Sequence, residues 1–365
     1  MSDVQTVVVG AGVIGLAIAR YLATQGHEVL ILESEGAVGQ HTSSRNSGVI
    51  HAGIYYAPGS DQQRLCLRGK AMLYDYCATR HVGHSRCGKL TVAPKGRADE
   101  LQGLVDRGAT NGVDDLYLVS RDELRELEPQ VAGDGAMMSP SSGIVDAPDL
   151  MLSLLGEAES AGAMLALNAP FLRARREEHG FSVEIGGEEM TITCRNLVNS
   201  AALGAWHVAR EIEGLNPKLI PCRNLAKGSY FTAAGKSPFK SLIYPMPKVG
   251  SLGIHSVLDM GGGVKFGPNM EWVDEVDYAV DPALLAAFEA EVRHYWPNLP
   301  DGVLQPDTAG IRPRIWGPGE AKREFVFQGA DQHGIDGLIN LFGFESPGLT
   351  SCLAIGEHVG GMLAN

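Results

Sequence analysis

Apolar residues fall into two rhythms at the start of the chain. Val4 to Val9 is a short β-branched run that reads as a strand, and it ends at Gly10-Ala11-Gly12-Val13-Ile14-Gly15. From Val13 to Gln25 the apolar positions recur at helical spacing, and a second run from Glu28 to Leu32 closes on the acidic Glu33. The pattern predicts strand, glycine turn, helix, strand. Further on, residues 86 to 143 alternate short strands with a charged helix over Asp122 to Glu128. Asp146-Ala147-Pro148-Asp149 opens a helix running to Ala161, with an Asp cap and Pro in the first turn. A strand follows at Met164 to Leu167, then a hairpin from Arg175 to Ile192 and a buried strand over Asn196 to Asn199. Residues 216 to 305 alternate strands and turns with one helix, Pro282 to Tyr295, and the last helix begins near Gly348. No internal repeat is present.

Composition narrows this picture to a folded protein of about two domains, or one unusually large one. At roughly 150 residues per domain, 365 residues make about two. With 44% hydrophobic and 20% charged residues the chain is not disordered. A formal charge of -13 repels phosphate backbones, so nucleic acid is not an expected partner. No apolar run approaches the roughly 20 residues that span a bilayer, and neither a signal peptide nor an integral membrane anchor is expected. The cysteines Cys66, Cys77, Cys87, Cys194, Cys222 and Cys352 show no CxxC pair and no metal-ligand spacing. Reduced thiols and a cytoplasmic location are expected, with peripheral contact to a membrane allowed, and no metal. Glycine, at 46 of 365 residues, is well above the usual share of about 7%, which suits close backbone approach to a large ligand.

The glycine turn has the context that dinucleotide binding requires. Gly10 allows the tight turn, Gly12 lets backbone N–H groups approach a pyrophosphate, and Gly15 lets the helix pack on the strand. The helix N-terminus favours the phosphate charge, and Glu33 is placed to accept hydrogen bonds from a ribose. This fingerprint alone suits NAD or FAD. After Glu33, however, the chain continues through a polar, glycine-studded stretch, Gln40 to Tyr56, where an NAD fold would enter a plain crossover helix. Ser43, Ser44, Asn46, Ser47 and Gly48 are the candidates there to wrap something flat and polar.

That stretch resembles the D-amino-acid oxidase superfamily of FAD-dependent oxidoreductases, and more narrowly the L-2-hydroxyglutarate dehydrogenase or oxidase family. The signature is Asn46-Ser47-Gly48-Val49-Ile50-His51-Ala52-Gly53-Ile54-Tyr55-Tyr56. Further matching segments are Lys227-Gly228-Ser229-Tyr230, Ile243-Tyr244-Pro245, Leu252-Gly253-Ile254-His255 and Lys265-Phe266-Gly267-Pro268-Asn269. Gly310-Ile311-Arg312-Pro313 and Gly343 to Thr350 complete the set, which covers nearly the whole chain.

The resemblance implies an α/β fold with a discontinuous Rossmann-like FAD domain at 1–85, 144–215 and 306–365. A mixed-sheet substrate domain at 86–143 and 216–305 would then cover the flavin. It also implies that the backbone at Phe171 meets the adenine. The turn Ser200 to Trp206 departs from the family pattern at Leu203, where glycine is usual. FAD is expected to be noncovalent, since no cysteine flanks Arg312.

Oxidising a hydroxy acid by hydride transfer from its α-carbon to flavin N5 calls for a carboxylate clamp and a base. Arg312 is the clamp candidate, because a guanidinium fork matches a carboxylate and the resemblance puts this arginine above the flavin. Tyr244, held before Pro245, can donate to the same carboxylate. His51 and His255 are the base candidates, and His41 is read as holding the flavin loop in place. Lys227 and Lys265 are candidates for a second substrate carboxylate. An acidic chain does not steer a dianion inward, so the pocket itself is expected to hold two or more basic groups. Gly348-Leu349-Thr350 should open the last helix toward the flavin pyrimidine edge. The function implied is oxidation of a 2-hydroxy acid, foremost L-2-hydroxyglutarate to 2-oxoglutarate, with oxygen or a quinone as final acceptor. The rivals are an amino-acid or N-methylamino-acid oxidase, a non-catalytic flavin-binding redox sensor and an NAD dehydrogenase.

Overall fold

The structure, a computed structural model, describes residues 2–187, 190–247 and 253–364. Val4–Val9 is the central strand of the largest sheet, and all but one of its residues are buried, as a strand covered on both faces requires. It pairs in parallel with Val29–Leu32 on one side and with Met190–Asn199 on the other. Met164–Ala166 extends the parallel set beyond Val29–Leu32, and Leu338–Phe342 extends it beyond the far half of Met190–Asn199. The near half of that long strand carries an antiparallel hairpin, Phe171–Glu177 with Gly180–Ile185.

Alternate side chains of the parallel strands enter two different cores. Val8, Ile31, Val198 and Ile339 pack under the helices Val13–Thr24, Ala147–Ser160 and Gly348–Ala364. Val7, Val9, Leu30 and Leu197 pack with Trp206 and the hairpin on the opposite face. This is the helix-flanked parallel sheet that the first thirty residues predict. The Ala147–Ser160 helix has the expected cap, the Asp146 carboxylate accepting the Asp149 N–H at 3.0 Å. The charged helix is Arg121–Leu127, closed by a Ser120–Glu123 capping box.

Two further sheets make the roof. One is five-stranded, with Asn224–Ala233 paired antiparallel to Leu304–Arg314, Val264–Gly267 and Glu271–Val273, and His255–Leu258 beyond Val264–Gly267. The other is mixed: Leu242–Pro245 lies parallel to Lys89–Ala93, which is antiparallel to Gly135–Ser139. Leu90, Val92, Phe231, Phe266 and the helix residues Phe288 and Val292 form the core between the two. One expected boundary moves. Position 306 falls inside the strand Leu304–Arg314, whose whole length pairs with Asn224–Ala233, so residues through Arg314 belong with the roof. Leu252, part of one matching segment, lies outside the described residues.

Candidate active site

A cavity of about 700 Å³ lies between the glycine turn and the roof. It runs from Gly12, Val13 and Ile14 beneath Gly228 and Tyr230 to Arg312 and the start of the last helix at Gly348 and Leu349. At its nucleotide end Gly10 has φ 101°, and a Cβ on Gly15 would stand 1.9 Å from the Gly10 carbonyl oxygen, so only glycine allows this helix to sit so close. The N-cap residue, Gly12, has no side chain to cap the helix and its first turn holds no acidic residue, which leaves the positive end of the helix favourable to an anion. The Val13 N–H donates to Ser43 Oγ at 3.0 Å and ties the wrapping loop to that end. Glu33 is nearly buried, with Oε2 accepting the Ala11 N–H at 2.8 Å and Oε1 the Glu35 N–H at 3.0 Å. Oε1 also accepts the Ser34 hydroxyl at 3.2 Å, so the lone pair left over is on Oε2, and Glu33 itself stands just outside the cavity lining.

Within the wrapping loop, Ser43, Asn46 and Ser47 border the cavity. Ser44 and Gly48 shape the loop instead: the Ser44 hydroxyl donates to the His41 carbonyl at 3.2 Å, and Gly48 takes a φ of 62°. Asn46 fixes the turn from both ends, donating to the Ser43 carbonyl at 2.7 Å and accepting the Gly48 N–H at 2.8 Å. His41 bridges Glu35 at 3.2 Å and Tyr278 at 2.9 Å, which ties the loop to the roof. Phe171 does not border the cavity; its side chain is in the sheet core, and its segment is held beside Glu33 by the Ala169 N–H donating to the Glu33 carbonyl at 2.8 Å. In the Ser200–Trp206 turn, Ala202 takes a φ of 49°, the left-handed position that glycine would occupy without strain. Thr350 stands behind the wall, its hydroxyl accepting the His51 N–H at 3.0 Å.

At the reactive end, Arg312 projects from the roof strand. Its Nε is 3.7 Å from Glu345 Oε2, while its Nη1 is buried with no hydrogen-bond partner among the described residues. Glu345 is held chiefly by Arg314, at 3.0 and 3.1 Å. A Cβ on Gly228 would come within 3.0 Å of Arg312 Nη1, so glycine leaves the guanidinium its place. His51, His255 and Tyr244 also line the cavity. His255 stacks on Tyr244 with ring centres 3.8 Å apart, and its Nδ1 lies 3.1 Å from the Gly253 carbonyl. His51 Nε2 lies 3.0 Å from Ser346 Oγ. Burial pushes both imidazoles down to about 3, with Lys89 adding to the effect in each. Tyr244 is raised well above the ordinary phenol value by burial.

Two expected substrate ligands are elsewhere. Lys227 pairs with Asp277 at 2.8 Å, because the two-residue period of its strand turns it to the face opposite Gly228 and Tyr230. Lys265 pairs with Asp307 at 2.8 Å and is also outside the cavity wall. Cationic groups do gather there, but from other positions: Arg45, Arg107, Arg314 and Lys322 join Arg312, against the carboxylates Glu320 and Glu345. Arg45 lies over the Tyr278 ring at 3.9 Å, with a buried Nε that has no hydrogen-bond partner among the described residues. Tyr230 also borders the cavity, with Arg312 and Ser47 as neighbours. It belongs to the matching segment Lys227 to Tyr230, in which the sequence offers Lys227, and not the phenol, as the substrate ligand.

The shape, the glycine-led helix start without acidic residues and the buried arginine atoms that lack a partner among the described residues fit a dinucleotide lying along the cavity with an acid at its far end. Comparison with known proteins agrees. The family described as FAD dependent oxidoreductase (DAO) matches residues 5–362. The mitochondrial L-2-hydroxyglutarate dehydrogenase of Arabidopsis thaliana is 40% identical over 398 residues, covering 98% of this chain and 82% of that protein. The L-2-hydroxyglutarate dehydrogenase of Escherichia coli is 29% identical, covering 97% and 91%. In fold, the chain superposes over its whole length on 96% of dithionite-reduced L-α-glycerophosphate oxidase from Mycoplasma pneumoniae, solved with FAD bound, at a TM-score of 0.88 and 22% identity. The glycine cradle, the loop wrapped behind it and the match over nearly every residue together place this chain in the DAO family of FAD-dependent oxidoreductases.

Proposed function

We propose that the protein oxidises L-2-hydroxyglutarate to 2-oxoglutarate, using FAD held without a covalent bond. The observation that carries the reading is the Arg312 guanidinium, which faces the cavity with one nitrogen buried and unsatisfied. A buried guanidinium N–H without an acceptor is costly, and a substrate carboxylate supplies the acceptor that Glu345, 3.7 Å from Nε, does not. The names of the relatives supply the choice of acid. Among the described residues no cysteine borders the cavity, which supports noncovalent binding.

In this reading Arg312 holds the α-carboxylate and Tyr230 and Tyr244 close the sides. When bound, FAD is the two-electron acceptor for the hydride leaving the α-carbon. The hydroxyl proton goes to an imidazole, and His255 is the better placed of the two. Its Nδ1 faces a carbonyl that only accepts, so the ring proton is on Nδ1 and the Nε2 lone pair is free. His51, bonded to Ser346, orients the opposite wall. Both rings are neutral before substrate enters, and an arriving dianion raises their affinity for a proton.

The test is the absorbance spectrum of the purified protein, then anaerobic addition of L- and D-2-hydroxyglutarate, amino acids and N-methylamino acids. Bleaching of a flavin spectrum by the L-hydroxy acid is expected. Bleaching by amino acids alone would replace this reading with the amine-oxidase one, and a flavin that stays oxidised throughout would favour a redox-sensing role. Running the reaction with oxygen and with a soluble quinone identifies the acceptor. We place the protein in the cytoplasm on the basis of its six free thiols, and no helix among the described residues is long and apolar enough to cross a membrane.

A further inference from the structure

Lys89 opens the strand Lys89–Ala93, every residue of which is buried. Its neighbours Leu90 and Val92 enter the core between the roof sheets, so the two-residue period turns Lys89 and Thr91 the other way. There Thr91 Oγ1 meets the Tyr55 hydroxyl at 3.2 Å. The Lys89 ammonium stands 4.9 Å from the Tyr55 ring centre and 5.0 Å from that of Tyr244. Both rings border the cavity, so this charge is one side-chain layer behind the wall. The residue is 2% exposed, and burial holds its pKa down at about 8, opposed by the neighbouring Cys66. His51 and His255 both feel its charge, and His255 also feels that of Arg312, so an imidazole of the cavity wall is within reach of both cations.

We propose that Lys89 is the specificity-determining charge for the second carboxylate of a dicarboxylic 2-hydroxy acid, acting across the Tyr55–Tyr244 wall while Arg312 holds the first. The inference rests on the function proposed above. Two phenol rings do not balance a fully buried ammonium as a carboxylate would, and such a charge is retained at a stability penalty where its counter-ion arrives with the ligand. The other cations are less suited to the task. Lys227 and Lys265 are paired with aspartates, Arg314 is bound to both oxygens of Glu345, Arg45 is stacked on Tyr278 in the loop that wraps the nucleotide end, and Arg107 and Lys322 are exposed, where solvent screens them.

The experiment compares Lys89→Met, Lys89→Gln and Lys89→Arg with the wild-type holoenzyme. Anaerobic flavin reduction gives kcat/KM for L-2-hydroxyglutarate and for L-2-hydroxypentanoate, which has the same carbon chain without the second carboxylate. FAD content and Tm are measured alongside. Both neutral variants are expected to lower the dicarboxylate-to-monocarboxylate ratio by about tenfold or more, mainly through KM for the dianion. Their Tm should equal or exceed that of the wild type, and Lys89→Arg should retain more of the ratio than either. An unchanged ratio overturns the proposal. So do equal losses on both substrates with a lowered Tm, or failure of both neutral variants to fold, since each would make Lys89 a structural residue. A wild-type flavin reduced by neither acid overturns the underlying function, and is seen without any variant.

Discussion

Arg312 offers the most direct test of the site. Replacing it with methionine removes the charge at similar length, and replacing it with lysine keeps the charge but loses the fork. Glu345 is not orphaned by either change, because Arg314 still donates to both of its oxygens at 3.0 and 3.1 Å. Folding should therefore change little. A carboxylate on the guanidinium gains two charge-assisted hydrogen bonds of roughly 1.5–3 kcal/mol each. A unit-charge pair at 4 Å near a protein surface gives about 4 kcal/mol by a separate route. Taking about 4 kcal/mol, Arg312→Met should lower kcat/KM by about a thousandfold, and Arg312→Lys by roughly the square root of that. The assay is stopped-flow anaerobic flavin reduction, with FAD occupancy read from the visible spectrum. A drop smaller than about tenfold in Arg312→Met, with FAD fully retained, would show that the acid binds elsewhere.

Gly15→Val should give a protein that purifies without FAD, because its Cβ would lie 1.9 Å from the Gly10 carbonyl oxygen and must push the helix start off the strand; a normal flavin-to-protein absorbance ratio would contradict this. The pH dependence follows from the two depressed imidazoles. For His255, pKa about 3 folded against roughly 6.5 unfolded, the unfolded chain binds more protons between those limits, so stability falls as pH drops from 6.5 toward 3, by about 1.4 kcal/mol per unit at most. His255→Asn should flatten that decline in urea titrations at pH 4 to 6. The wild-type kcat/KM profile should show no histidine limb between pH 5 and 7; a limb near 6.5 would mean that the base is solvated.

Much of the site could be read from the chain because it is encoded locally. The glycine turn, the turn at Asn46 and the helix start at Gly348 rest on short spacings whose geometry is fixed within a few residues, whereas Arg312 is marked by the family resemblance and reaches the cavity through the pairing of its strand with Asn224–Ala233. The second cation could not be found that way. Lys227 and Lys265 stand in matching segments, yet strand register turns the first away from the cavity and an aspartate holds each. Lys89 looks like an ordinary lysine in sequence, and its one local signal is that it heads the strand-like stretch Leu90-Thr91-Val92-Ala93. Its burial follows from parallel pairing with a strand more than 150 positions away, Leu242–Pro245, which brings Tyr244 over it. The sequence alone thus determined the cofactor layer and the loop that wraps behind it, since hydrogen bonds and glycine contacts within short segments specify both. Which charges face the substrate was decided by the tertiary structure, because the face a side chain takes depends on the sheet its strand joins and on the register of that pairing.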